Sequence, residues 1–211
     1  MSRSLKNSRC RCRLLLAAAI LLCIAIGGSC KRTTTGGGSI DILGSSDQTA
    51  DAAKIVADAN EDLKKIKVLY DNNLDKREDL KKALETDDAA NVKKITQQIV
   101  DLINDGTQSG NDALEKLQKA QEMQINDDYR DYLSLKEGSI KKELEAFDNY
   151  REAARTLRDN YDPKNTSVRD KVKEEFKKRS DKYQEIMESA RVDSNKANDL
   201  AKEVLKKQQA N

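Results

Sequence analysis

The chain has 211 residues, of which 36% are charged and 4% aromatic, and it contains no histidine or tryptophan. This composition is typical of long solvated helices and argues against a thick globular core. The formal net charge is +2, but five of the 39 basic residues and none of the 37 acidic ones precede residue 30, so the remainder carries −3. The overall basicity therefore belongs to the N-terminal segment and gives no case for binding nucleic acid.

The first predicted element is an export signal. Five basic residues precede an apolar run of 13 residues at 14–26, and the small residues Gly27, Gly28 and Ser29 follow it. A basic segment, a short apolar segment and a small-residue cleavage zone form a secretory signal peptide. A membrane-spanning helix needs about 20 apolar residues, so this run is short for a permanent span. Residues 1–29 are predicted to be a signal peptide, with the rest of the chain outside the cytoplasm.

The residues around the expected cleavage point resemble the lipobox of bacterial lipoproteins. Gly28 and Ser29 stand directly before Cys30, although Gly27 occupies the position where that class usually has an aliphatic residue. The resemblance covers the first 30 residues and implies that Cys30 carries a diacylglycerol and an acylated amine, with chains such as palmitate. In Gram-negative sorting an Asp after the cysteine retains lipoproteins at the inner membrane, so Lys31 favours the outer membrane.

Cysteine usage fits lipidation. All four cysteines lie in the first 30 residues, and a lone Cys30 in an exported protein would otherwise be an unexplained thiol. Three acyl chains, at ~0.8 kcal/mol per buried methylene, would anchor the protein without a spanning helix. The alternatives are an ordinary cleaved signal, which gives a soluble exported protein, and an uncleaved signal anchor.

Residues 31–48 are rich in Gly, Ser and Thr, and with Cys30 they are predicted to form a lipidated, flexible tether over 30–48. Residues 49–211 are predicted to form a helical bundle domain. From Thr49 to Leu84 the apolar residues recur alternately three and four apart, which predicts a helix with a weak point at the sequence DNN. Asp87 and Asp88 are predicted to cap the next helix.

The second predicted helix contains a loop-like stretch at residues 104–112. Its two glycines would each cost about 1 kcal/mol relative to alanine in a helix interior. The apolar phase nevertheless continues through Gly106 and Gly110 to Ala113 and Leu117. We expect one helix with small residues where a neighbour packs closely, and a break in this stretch is the alternative.

Two further helices complete the predicted domain. The third begins with a cap at residues 126–128, carries a heptad repeat and ends before Pro163. The fourth is predicted to be capped by Thr166 or Ser167, and charged residues occupy two positions of its apolar seam, Arg179 and Asp193. The heptad residues of the third helix are Leu133, Ile140, Phe147, Ala154 and Tyr161, and the seam of the fourth is Val172, Phe176, Tyr183, Ile186, Ala190, Ala197, Leu200 and Val204.

The predicted fold class is all-α, an elongated up-down helical bundle or coiled-coil-like arrangement of about four long helices. Helices of roughly 35–40 residues would be ~50–60 Å long. No catalytic residue, metal site or cofactor is predicted, because carboxylates at helix starts are explained by capping. Tyr129 and Tyr132 form a candidate contact site, since they lie off the apolar seam.

The predicted function is that of a membrane-anchored envelope lipoprotein without enzymatic activity. It would present a helical bundle for binding or spacing, and its partners would be the membrane and an envelope or external protein. Self-association into a homo-oligomer is a second version, in which Arg179 and Asp193 face an identical chain. The alternatives are a soluble exported helical protein and an accessory subunit whose site a partner completes, which would show converging carboxylates in a pocket.

Overall fold

The computed structural model describes the backbone of residues 47–210 and the side chains of residues 47–203. The described part consists of four helices, α1 (Thr49–Glu85), α2 (Ala89–Gln121), α3 (Asp127–Asn160) and α4 (Thr166–Ala210). Consecutive helices pack on each other in an up-down order, which confirms the predicted all-α helical bundle. The predictions for the signal peptide, Cys30 and the tether as far as residue 46 lie outside the described residues.

Helices α2, α3 and α4 begin at side chains that accept a hydrogen bond from the first turn, whereas Gln48 before α1 makes no such bond. Asp88 accepts from the backbone N–H of Asn91 at 3.1 Å, and Asn126 accepts from that of Tyr129 at 2.9 Å, which confirms these two residues as caps. Asp87 does not cap α2, because its carboxylate accepts from Tyr161 and other side chains instead. The predicted cap of α4 is wrong. Asn165 accepts from the Val168 N–H at 3.2 Å, and Thr166 is already helical. Asparagine is among the best capping residues, and it precedes both hydroxyl candidates.

Helix α2 runs without a break through residues 104–112, which confirms the prediction of a single helix. Gly106 and Gly110 are both buried against α3. A Cβ atom on Gly106 would lie 3.3 Å from Phe147 Cε2, and one on Gly110 would lie 2.7 Å from Leu144 Cδ2. The two glycines therefore lower helix propensity but allow α3 to approach the α2 backbone.

This packing predicts opposite effects for two glycine-to-alanine substitutions. Gly138→Ala adds a Cβ with no atom within 4 Å, so it should raise the free energy of unfolding by up to about 1 kcal/mol through helix propensity. Gly110→Ala gains the same propensity but overpacks against Leu144, which costs about 1–3 kcal/mol, and should destabilise the protein. Urea denaturation of both variants measures the difference. Equal stabilisation by the two would contradict the close packing.

The buried apolar residues form two clusters. The entry end of the bundle, where α1 begins, has a core built by α1, α2, α3 and the α2–α3 turn. The far end, which contains the α1–α2 and α3–α4 turns, has a core to which all four helices contribute. Both clusters lie between Ala52 and Ala197, so this part of the chain carries the whole described core.

Helix α4 packs along α3. Ser139 Oγ donates to the Ala190 carbonyl at 2.9 Å, and the Lys142 ammonium lies 2.6 Å from Asp193. The predicted seam residues of α4 from Val172 to Ala197 are buried or half-buried, while the side chain of Val204 is outside the described ones. Because α1 packs mainly on α2, the backbones of α1 and α4 are not in close contact along their length, and a groove separates them.

Candidate binding groove

The groove lies between α1 and α4 at the far end of the bundle, with Tyr150 of α3 at its floor. Its volume is about 570 Å³. Leu84 and Phe176 supply apolar surface, and Leu80, which also lines the groove, is 2% exposed. The charged lining residues are four cations and two acids, namely Arg77, Lys81, Arg169, Lys173, Glu85 and Asp87. The groove therefore combines an apolar interior with a predominantly cationic rim.

An aromatic cluster fixes the position of Arg77. The rings of Tyr150 and Tyr183 lie 5.0 Å apart, and Phe176 lies 6.1 Å from Tyr150. The Arg77 guanidinium carbon lies 5.5 Å and 5.8 Å from the centroids of the Tyr150 and Tyr183 rings. Burial raises the pKa of Tyr150 to about 12. Two neutral phenols thus hold the guanidinium by cation–π attraction.

A second cluster closes the end of the groove around Asp87. The Tyr161 hydroxyl donates to this carboxylate at 2.6 Å, and Lys173 and Arg169 approach it at 3.0 and 3.1 Å. Hydrogen bonds from Tyr161 and Lys173 lower the pKa of Asp87. Lys173 also donates to the Leu84 carbonyl at 2.8 Å. Two of the four groove cations are therefore already paired.

Arg77 and Lys81 differ from those two cations. Among the ion pairs of the described residues, neither makes one, although they lie one turn apart on α1 and both line the groove. Ser180 Oγ, also in the lining, is buried without a hydrogen-bond partner there. The groove thus contains polar groups whose binding capacity is not used within the described chain.

Glu143 of α3 is a second unusual group, and it lies outside the groove lining. Desolvation raises the pKa of its carboxyl to about 7, an effect that the nearby Lys136 charge partly opposes. The negative charge of Glu143 helps to raise the pKa of Tyr183. No hydrogen bond to this carboxylate is formed by the described residues. Glu143 is thus a half-buried acid that stays protonated up to a higher pH than an exposed glutamate does.

The predicted contact residues lie elsewhere. Tyr129 and Tyr132 stack with centroids 5.6 Å apart, both half-buried against the entry-end core, and burial raises the pKa of Tyr129. Along α3, the 21 residues from Tyr129 to Tyr150 correspond to about 32 Å, so the groove does not include this pair. The sequence signal that could have found the groove was Arg77, a cation at a seam position of α1.

Comparison with known proteins gives no relative from which a role could be transferred. No protein-family model matches the chain, and searches of curated proteins and of solved structures find no match. Among the side chains of residues 47–203, no three potential metal ligands converge on one point. Over the same range, no helix combines the length and the apolar character that crossing a membrane requires.

Proposed function

We propose that the protein is a lipid-anchored, exported helical bundle that works as a non-enzymatic binding module in the bacterial cell envelope. The N-terminal sequence supports export and anchoring, because a signal-like segment ends at Cys30 and a Gly- and Ser-rich stretch follows. The groove between α1 and α4 is the proposed binding site. The acyl anchor would insert into the membrane, and the bundle would bind an envelope or external molecule.

The main observation that supports this proposal is the position at which the chain enters the bundle. The Gln48 N–H donates to the Gln124 carbonyl at 2.7 Å, and the Asn126 N–H donates to Thr49 Oγ1 at 3.1 Å. These bonds fix the start of α1 to the α2–α3 turn at the entry end. Arg77 lies 28 residues further along α1, which corresponds to about 42 Å. A tether that ends at Gln48 would therefore hold the groove well away from the anchored end.

The charges of the bundle support binding rather than self-association or catalysis. Arg179 pairs with Glu175 at 2.7 Å, and Asp193 pairs with Lys142, so both charged seam positions have partners within the chain. The groove lining contains the carboxylates of Glu85 and Asp87, and that of Asp87 is engaged by cations and Tyr161. We therefore favour a site that recognises a ligand over one that transforms it.

Membrane fractionation of native cells tests the anchoring step. The wild-type protein should sediment with membranes and resist extraction with salt, because acyl chains hold it by apolar burial. Cys30→Ala should release the protein into the soluble fraction or leave its signal uncleaved. Cys12→Ala removes a cysteine of the predicted signal and is the matched control. Identical fractionation of Cys30→Ala and wild type, with the signal removed in both, would contradict lipidation.

A further inference from the structure

We propose that the groove between α1 and α4 binds a small amphiphilic carboxylate, a molecule with one carboxylate head and an apolar body, such as a medium-chain fatty acid. The inference rests on the proposed function because it takes the groove to be the binding site. It goes further by assigning the chemical class of the ligand and the side chains that recognise its two parts.

Arg77 would bind the carboxylate head. Its guanidinium carbon lies 5.5 and 5.8 Å from the ring centroids of Tyr150 and Tyr183, and none of its N–H groups forms an ion pair or hydrogen bond among the described residues. A planar fork of N–H groups matches the two oxygens of a carboxylate and binds them in a bidentate manner. Lys81, one turn further along α1, adds a second positive charge at the same wall. The aromatic contacts fix the guanidinium before the ligand arrives, so little side-chain entropy remains to be lost.

The apolar part of the groove would hold the body of the ligand. Leu80, Leu84 and Phe176 line the interior between the two cationic walls. Each methylene of a chain buried there is removed from water, which favours binding. The hydroxyl of Ser180 is the polar exception, since its buried oxygen has no hydrogen-bond partner in the described part of the chain. An uncharged apolar ligand would make no ion pair with the cationic wall of Arg77 and Lys81. A small ion would not fill the apolar interior of the groove.

Size and charge favour this class over the other candidates. A volume of about 570 Å³ is within the range of small-molecule sites, about 300–1,000 Å³, and is small for a docked helix. The lining has four cations and two acids, which disfavours a cationic ligand. Of the four lining cations, Arg77 and Lys81 make no ion pair with a carboxylate among the described residues, so their charge suits one anionic head rather than a polyanion.

The binding experiment uses residues 31–211, which carry the whole described core, and dodecanoate below its micellar concentration as the probe. Isothermal titration calorimetry should show saturable binding with a stoichiometry of one. Dodecanol, which has the same chain without the charge, should bind at least about tenfold more weakly, since hydrogen bonds to a charged group are stronger than those to a neutral one. Dodecyltrimethylammonium, which reverses the charge, should not bind.

Three variants locate the binding site. Arg77→Gln should weaken dodecanoate binding at least about tenfold, whereas Arg191→Gln removes an exposed cation with no part in the groove and should change it less than about twofold. Lys81→Gln removes the second cation of the same wall at an exposed position, so it should weaken dodecanoate binding while the protein stays folded by circular dichroism. This variant decides the question if Arg77→Gln does not fold.

Several outcomes would overturn the inference. They are no saturable binding of dodecanoate, equal binding of dodecanol, equal losses in Arg77→Gln and Arg191→Gln, and binding only to anionic phosphatidylglycerol vesicles. None of these results depends on Cys30, which is absent from the chain used. Failure of ligand binding is therefore separate from failure of the lipid anchor.

Discussion

Replacing Tyr150 by alanine is expected to lower the free energy of unfolding by about 3–5 kcal/mol. Tyr150 is 2% exposed and its ring contacts Tyr183 and Phe176 of α4 and the Arg77 guanidinium of α1. Truncation removes this contact among three helices and leaves a cavity beneath the groove. The loss should exceed that of a typical surface substitution because the remaining side chains cannot all collapse into the space.

Two controls separate the ring from other contributions. Tyr150→Phe keeps the ring and removes a hydroxyl that makes no hydrogen bond to the described residues, so the loss should stay below about 1.5 kcal/mol. Tyr132→Ala removes a half-buried tyrosine near the entry end and should cost less than Tyr150→Ala. Urea denaturation followed by circular dichroism gives all three values. A loss for Tyr150→Ala no larger than that for Tyr132→Ala would contradict the packing at the groove floor.

Glu143→Gln is expected to stabilise the protein in a pH-dependent way. Burial raises the folded-state pKa of this carboxyl from 4.5 to about 7. Below about pH 4.5 the acid is protonated in both states, and the two proteins should have similar stability. As the pH rises from about 4.5 to about 7, the unfolded state releases this proton while the folded state retains it, so the wild type loses stability that the glutamine variant keeps. The full difference is on the order of 3 kcal/mol at pH 8.

The measurement is urea denaturation of both proteins at intervals between pH 4.5 and pH 8. This range avoids the acid titration of Asp62, Asp87 and Asp193, whose pKa values are lowered by partners and whose contribution is lost as the pH falls. Glu145→Gln removes an exposed acid two residues further along α3 and is the matched control. If the two glutamine variants differ from wild type by the same amount at every pH, burial of Glu143 is not the cause.

The sequence allowed the helices to be predicted because their apolar residues keep one phase. In α2 that phase continues through Gly106 and Gly110, and the structure has one helix there because α3 packs directly on the glycines. The heptad of α3 placed Leu133 and Phe147 in the core, where both are buried. Periodicity was sufficient in these segments because tertiary packing and local pattern favour the same face.

Polar residues in the interior could not be predicted in this way. Asp62 is 4% exposed because Lys65 and Lys116 approach its two oxygens at 2.7 and 2.5 Å, and Lys116 comes from α2. A lone carboxylate in a helix pattern does not reveal a cation that approaches it from 54 positions away. The cap at Asn165 was missed for a smaller reason, since three consecutive residues can each cap a helix and the pattern does not choose among them.

The groove depends on a distance that the sequence does not encode locally. Periodicity assigned Arg77 to the inner face of α1, and the structure places its guanidinium at the aromatic cluster of Tyr150 and Tyr183. It could not show that α1 and α4, which are not consecutive, leave a space between them. Tyr129 and Tyr132 were predicted as a contact site because they lie off the apolar seam, yet both pack on the entry-end core.

The central claim is that this bundle is held at a membrane by acylated Cys30, and intact mass spectrometry of the protein extracted from native membranes tests it most directly. The claim predicts a chain that begins at Cys30 and is heavier than its sequence by a diacylglycerol and one further acyl chain. A chain that retains residues 1–29, or one that begins elsewhere, or an unmodified Cys30, would contradict it.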